Sequence, residues 1–158
     1  MLGLVPKIST NADISGCLSQ ALGPQNARLH AKALSSLAGL RIRALTPSAE
    51  DASEGDRSAL RAYRAQLTSL EARLTQADID ATKLVFSWSD TLKPKVVDSH
   101  ATIGHERESL LFNEAALLSR AAAKAVCERT PEGRKTGIKN FRDAAAALTY
   151  LKDVLMPR

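Results

Sequence analysis

The residues best suited to chemistry in this chain are two histidines close to three acids. His100 and His105 have four residues between them, and Glu106, Glu108 and Glu114 follow. Imidazole and carboxylate groups are the usual ligands of zinc and of di-iron centres. A helical metal site places its ligands at i and i+4, or repeats an i, i+3 carboxylate–histidine pair on a second helix, and neither pattern occurs here. We therefore expect no metal, and we expect these acids to favour the dipole of a helix N-terminus.

The chain also lacks the common signatures of nucleophilic and cofactor-dependent catalysis. Cys127 has no histidine or amide partner in an evident nucleophile setting, and Cys17 lies far from it. Gly-x-Ser-x-Gly, phosphate-cradling and dinucleotide-binding motifs do not occur. The sequence thus predicts a protein that is not an enzyme and has no cofactor. Asn113 is the most interesting polar residue, because it could satisfy backbone groups at a sheet–helix junction or contact a partner. His30 is predicted at the surface.

Composition favours a single domain over residues 1–158. Hydrophobic residues make up 44% of the 158 residues and charged residues 25%. A domain of this size buries enough surface to need no disulfide or metal. Two distant cysteines indicate a reducing compartment, and no apolar run is long enough to cross a bilayer. We expect a cytoplasmic protein whose membrane contact would be peripheral.

The net charge of +5 could serve an anionic partner. Arg57, Arg61, Arg64 and Arg73 fall on the outer side of one predicted helix, interspersed with other residue types. The spacing favours a solvated face, and contact with an anionic membrane or with RNA is the alternative. Aromatic residues are not interleaved with these basic residues, which argues against nucleic-acid binding.

Helical periodicity dominates the chain. Asn11 or Asp13 can cap a first helix that Gly23 and Pro24 end, and a second runs from about residue 25 to 45. The third has the most regular period, with apolar residues spaced by three and four. These are Leu60, Tyr63, Leu67, Leu70, Leu74 and Ala77.

Two alanine-rich helices occupy the stretch from His105 to Lys152. Thr130 is an N-cap candidate between them, and Pro131 suits the first position of the second helix. Because the connection is short, the helices should pack antiparallel, with alanines allowing their axes to approach closely.

A small sheet is predicted to interrupt the helices. Leu84, Phe86 and Trp88 alternate with more polar positions within residues 83–89, a period of two that indicates a half-buried strand. Residues 95–98 are its predicted partner and residues 4–8 a third strand. The fold class is therefore mainly α, with antiparallel helices and a two- or three-stranded sheet.

Several of these segments together resemble one known family. Phe86-Ser87-Trp88, the run from Glu106 to Ser119 with Phe112-Asn113, and the run from Glu132 to Lys152 with Asn140-Phe141 occur in the order typical of the Bro domain of ALIX-like endosomal-sorting scaffolds. The resemblance extends over essentially the whole chain and is specific from about Phe86 onward. It implies a curved, tetratricopeptide-like helical scaffold without enzymatic activity, acting in ESCRT-associated sorting at multivesicular bodies.

The resemblance also implies a partner, an amphipathic helix of an ESCRT-III subunit, and association with endosomes. A complete domain of this type continues through further helices that form the ESCRT-III groove, so we expect a partial domain and transfer no partner-binding residue.

The last helix presents the candidate protein-contact surface, which consists of Phe141, Ala145, Leu148 and Leu155. Left uncovered, this face should recruit a helix or self-associate. The alternative function is a free-standing helical bundle that only self-assembles. The two differ at Trp88, which lies in a strand in the scaffold and in helix packing in a simple bundle.

Overall fold

The computed structural model describes residues 3–10, 12–46 and 52–155. Within this part of the chain there are six α-helices and one two-stranded sheet, as predicted for a mainly α fold. The helices are α1 (Ile14–Leu29), α2 (Ala31–Leu45), α3 (Glu54–Glu71), α4 (Gln76–Thr82), α5 (Ile103–Cys127) and α6 (Pro131–Tyr150), the last followed by a π-helical turn (Leu151–Leu155). Among the helices described, none combines the length and the apolar character that a membrane span requires.

The first helix begins as predicted and ends later than predicted. The Asp13 side chain accepts a hydrogen bond from the backbone N–H of Gly16, which makes Asp13 the N-cap, whereas Asn11 lies outside the described residues. Gly23 has a φ of 74° and interrupts the helix, but helical structure resumes at Pro24 and continues to Leu29. Proline fits the first turn after such a break, since its missing N–H has no acceptor there. The predicted stop at Gly23 is therefore a kink.

The third predicted helix is divided into two. Ser53 and Asp56 form a reciprocal capping box at the start of α3, and Thr75 and Asp78 form a second one at the start of α4. The second cap satisfies backbone donors of a new helix start, so the chain turns after Glu71. Placing Leu74 and Ala77 on the same helix as Leu60 was wrong, because periodicity alone does not detect a cap inside an apolar pattern.

The sheet forms where alternation predicted it, with shifted bounds. Strands β1 (Phe86–Ser89) and β2 (Val97–His100) pair antiparallel, with Phe86 opposite His100. Phe86 and Trp88 are buried, while the side chains of β2 are exposed. The predicted third strand at residues 4–8 is reduced to a single bridge between Ser9 and Trp88, next to a hydrogen bond from the Ser89 N–H to the Ile8 carbonyl. Trp88 thus lies in a strand, which contradicts the simple-bundle alternative.

Helix α5 is the centre of the molecule. It contributes Ile103, Leu110 and Leu117 to the main hydrophobic core, which α1 to α4 and β1 complete. On another side Ala115 and Leu118 form a smaller core with Ala144 of α6. Thr130 caps α6 through a hydrogen bond from the Gly133 N–H, and Pro131 occupies its first position, both as predicted. The two alanine-rich helices pack against each other as expected.

Candidate functional site

A buried polar network connects four elements beneath the sheet. Glu106 of α5 is 0% exposed, and its Oε1 lies 2.9 Å from Nε of Arg41 on α2. The Trp88 indole N–H donates to Glu106 Oε2 at 2.6 Å, and the Tyr63 hydroxyl donates to Oε1 at 3.2 Å. Arg41 Nη2 also donates to Ser9 Oγ at 2.9 Å. The Glu106 carboxylate therefore links β1, α2 and α3 to α5, and Arg41 extends the network to the N-terminal segment.

The electrostatics of this network indicate a structural role. Burial raises the pKa of Glu106, while the Arg41 charge and the Trp88 hydrogen bond oppose that shift. Burial and the neighbouring carboxylate also raise the pKa of Tyr63. Every partner of the carboxylate is itself buried, so a substrate has no access to it. Glu106 lies in the first turn of α5, as expected for an acid that favours the helix dipole, but its carboxylate is buried as the acceptor of this network.

The N-terminal segment is held along α5 by side-chain amide and hydroxyl groups. The Lys7 N–H donates to Asn113 Oδ1 at 2.7 Å, and Asn113 Nδ2 donates back to the Lys7 carbonyl at 2.9 Å. One helix turn and a half further on, Ser119 Oγ accepts the Leu4 N–H at 2.8 Å. The Asn113 side chain thus makes the two backbone hydrogen bonds to Lys7 that a neighbouring strand would otherwise make to this extended segment. Its predicted role in satisfying backbone groups at the sheet–helix junction is confirmed.

Substituting Asn113 tests this attachment. Asn113→Ala removes both hydrogen bonds to Lys7 and should lower the free energy of unfolding by about 1–3 kcal/mol. Hydrogen exchange of the Lys7 amide should become faster in this variant. Asn26→Ala serves as control, because Asn26 makes an exposed local bond to the Leu22 carbonyl and its removal should change stability by less than about 0.5 kcal/mol. Equal effects of the two substitutions would contradict the assigned role.

Ion pairs between α3 and α5 account for part of the basic surface. Arg61 Nε lies 2.5 Å from Glu114 Oε1, and Arg64 Nη1 lies 3.2 Å from Glu114 Oε2. The hydrogen bond to Glu114 raises the pKa of Arg61. Arg57 pairs with Glu54 in the first turn of α3. The arginines predicted on a solvated face are thus exposed at Arg61 and half-buried at Arg57 and Arg64, and all three pair with acids.

Glycines bring α6 close to α5. A Cβ on Gly133 would lie 2.4 Å from the Ala125 carbonyl oxygen, and a Cβ on Gly137 would lie 2.4 Å from Val126 Cγ2. The buried side of α6 consists of these glycines with Asn140 and Ala144. Because small residues form the contact between α6 and α5, the larger apolar side chains of α6 lie on other sides of the helix.

The four residues of the predicted protein-contact surface do not share one environment in the structure. Phe141 is 39% exposed, and Ala145 beside it is also exposed, as is Ile138 one turn earlier at 60%. Leu148 is half-buried and packs on the smaller core. Leu155 instead lines a cleft of about 620 Å³ between α3, α5 and the end of α6, together with Tyr150, Arg64 and Arg107. We call the exposed residues Ile138, Phe141 and Ala145 the α6 stripe.

The two histidines dismissed on spacing lie together in the structure. His105 is in the first turn of α5 and His100 at the end of β2, with their ring centroids 4.4 Å apart. Asp98 joins them, and one potential ligand atom from each of the three residues lies within 4.8 Å of the others. Spacing along one helix was the wrong criterion, because the residues belong to a strand and a helix joined by a short turn. His30 is exposed, as predicted.

Known proteins share this architecture. The BRO1-like domain family matches residues 2–158, and the chain belongs to that family. Mouse programmed cell death 6-interacting protein is 30% identical over 112 residues, which are 67% of this chain and 13% of that protein. Human rhophilin-2 is 32% identical over 126 residues, or 79% of this chain and 17% of that protein. The chain thus spans less than a fifth of the length of either relative.

A solved structure agrees on the fold. The ALIX BRO1 domain in complex with CHMP4C superposes with a TM-score of 0.80 at 23% identity, over 99% of this chain and 46% of that one. The resemblance inferred from the motifs around Phe86, Asn113 and Phe141 is therefore confirmed, as is the mainly helical fold with its small sheet.

Proposed function

We propose that this chain is a non-enzymatic scaffold that binds an amphipathic helix of a partner protein on the α6 stripe. The observation that carries the proposal is the apolar, exposed face formed by Ile138, Phe141 and Ala145, about 100° round α6 from the side that packs against α5. A rigid helix with an apolar stripe is a common receptor for a second helix, which adds its own apolar residues at spacings of three and four.

The charges around the stripe favour an acidic partner. The exposed positions of α6 include Arg134, Lys135, Lys139 and Arg142, against Glu132 and Asp143. Lys139 and Asp143 pair with each other at 2.8 Å, so the remaining excess is positive. Complementary charge at the rim of an interface speeds association and selects the partner. We therefore expect the partner helix to carry carboxylates beside its apolar face.

Family membership suggests where such a partner is found. A BRO1 domain of ALIX has been solved with CHMP4C, and this chain would act as a related adaptor in endosomal sorting, in the cytoplasm and at endosomes. By resemblance the ESCRT-III groove is expected in helices that follow this region of the domain, and no residue of it is transferred to this chain. The α6 stripe is therefore proposed as the contact surface from the structure of this chain alone.

Two adjacent alanines provide a matched test. Ala145 lies in the stripe, whereas Ala146 is also exposed but points about 100° further round the helix. Ala145→Asp should weaken binding of labelled CHMP4C at least about tenfold, because a charge replaces apolar contact and must be desolvated. Ala146→Asp should leave binding within about twofold, since rim substitutions contribute little. Fluorescence anisotropy measures both, with circular dichroism confirming the helical content.

Two results would contradict the proposal. Equal binding by the two variants would place the contact elsewhere, and absence of binding by the unmodified chain would remove CHMP4C as a partner. Light scattering on the free chain distinguishes the self-assembly alternative, which requires dimers that Ala145→Asp dissociates.

A further inference from the structure

A cluster of metal-ligating side chains lies at the start of α5, away from the α6 stripe. Asp98 and His100 are two residues apart on β2 and so project from the same face of the strand. His100 Nε2 lies 2.9 Å from Asp98 Oδ1. His105 meets them from the third position of α5, where its backbone N–H bonds to Thr102 Oγ1. The short turn between strand and helix holds all three side chains at one place.

His105 has a feature that an ordinary surface histidine lacks. Its Nε2 atom is buried, and the structure gives it no hydrogen-bond partner. A buried polar atom without a partner is uncommon and requires an explanation. The hydrogen bond between Asp98 and His100 accounts for those two side chains but leaves the His105 nitrogen without a role. A metal ion bound between the three residues would supply the missing partner.

The surroundings are compatible with a divalent cation. The three residues line a cleft of about 260 Å³ together with Glu108 and Lys7. Two carboxylates therefore face one ammonium group, which leaves an excess of negative charge when both imidazoles are neutral. The imidazole of His105 is half-buried in this cleft, beside His100 and Asp98. Lys7 Nζ lies over the Phe112 ring, 5.6 Å from its centroid.

We propose that Asp98, His100 and His105 bind one divalent transition-metal ion of the zinc class. Two imidazoles and one carboxylate form a ligand set common for zinc, and they leave a position for water or for a side chain such as that of Glu108. One ligand atom from each residue lies within 4.8 Å of the others, and side-chain rotation must shorten these separations for all three atoms to reach one ion. The bound ion would link β2 to α5 and so fix the exposed strand of the sheet.

Cobalt substitution tests the site by a readout independent of any activity. Co²⁺ in a tetrahedral site gives visible d–d absorption bands, and one equivalent should bind to the unmodified chain. His105→Ala and His100→Ala should each weaken binding by about 10- to 100-fold or more, since even outer partners of metal ligands have effects of that size. Zn²⁺ should compete for the same site and raise the Tm of the unmodified chain, but it should not raise the Tm of His105→Ala.

The chain provides its own controls. His30 is the remaining histidine and is exposed, and Cys127 is an exposed thiol that could bind metal adventitiously. His30→Ala and Cys127→Ser should retain the absorption bands and the affinity. Absence of d–d bands from the unmodified chain, or bands that survive His105→Ala or vanish in Cys127→Ser, would overturn the proposal. Circular dichroism of His105→Ala establishes that lost binding is not lost folding.

Discussion

Glu106→Ala should lower the free energy of unfolding by about 3–5 kcal/mol, because it leaves the Arg41 guanidinium buried without its counter-charge. Arg41 is 3% exposed, so its charge is shielded from water. The substitution also removes the acceptor of the Trp88 indole N–H. Trp88 is the single tryptophan of the chain, so its fluorescence in a urea titration reports on the site that is changed.

A double substitution that removes both charges distinguishes the cost of an unpaired buried charge from the cost of lost packing. Arg41→Met with Glu106→Leu places no buried charge in the core and should recover part of the loss, as replacement of buried ion pairs by apolar residues often does. Glu132→Ala is the matched control, since this exposed acid of the first turn of α6 should contribute less than about 1 kcal/mol through the helix dipole. A loss of stability in Glu106→Ala no larger than that of the control would contradict the assigned role.

The second large effect is expected at the contact between α5 and α6. Gly133→Ala and Gly137→Ala each insert a methyl group into a space that a carbonyl oxygen or Val126 already occupies. Overpacking of this kind destabilises by about 1–3 kcal/mol at each position, although alanine is the better helix former. The double variant should separate the helices and displace the α6 stripe. Thermal unfolding measures the loss, and the binding assay measures the displacement.

Gly39 provides the matched control for this pair. It lies within α2 and is exposed, and a Cβ there would have no neighbour within 4 Å. Gly39→Ala should therefore stabilise the chain by about 0.4–1 kcal/mol, through the smaller entropy of the unfolded chain. Opposite signs at Gly39 and Gly133 are the expected result. Stabilisation at Gly133 or Gly137 would show that the helices do not approach as closely as the structure indicates.

Local patterns predicted the parts of the fold that local chemistry determines. Thr130 and Pro131 identified the start of α6, and the alternation around Phe86 and Trp88 identified the sheet, because caps and strand faces depend on neighbouring residues in sequence. Asn113 was predicted to satisfy backbone groups, although its partner, Lys7, is 106 residues away. The partner was not predictable, since nothing in the sequence fixes the path of the N-terminal segment along α5.

The buried polar network around Glu106 was not predicted, for a different reason. Glu106 lies three residues after buried Ile103 and four before buried Leu110, which places it on the core side of α5. That position was the available signal, but charged residues are usually assigned to the surface. The guanidinium of Arg41, on α2, offsets the free-energy cost of burying this carboxylate. Contacts between distant charged residues require the tertiary structure, as does the meeting of His100 with His105.

The network and the proposed docking surface are connected through α5. Glu106 fixes the N-terminal part of that helix against α2, α3 and β1, and the glycine contact fixes α6 against its C-terminal part. The α6 stripe is thereby displayed on a helix with little freedom to move. A preorganised surface loses less entropy when a partner helix binds, which favours affinity at a small apolar contact.

Hydrogen exchange across the chain, measured with and without CHMP4C, locates the docking surface. Added protection should be concentrated in residues 138–148 of α6, and Ala145→Asp should abolish it. Protection confined to the cleft between α3 and α5, or no change in α6 at saturating CHMP4C, would contradict the assignment of the α6 stripe as the docking surface.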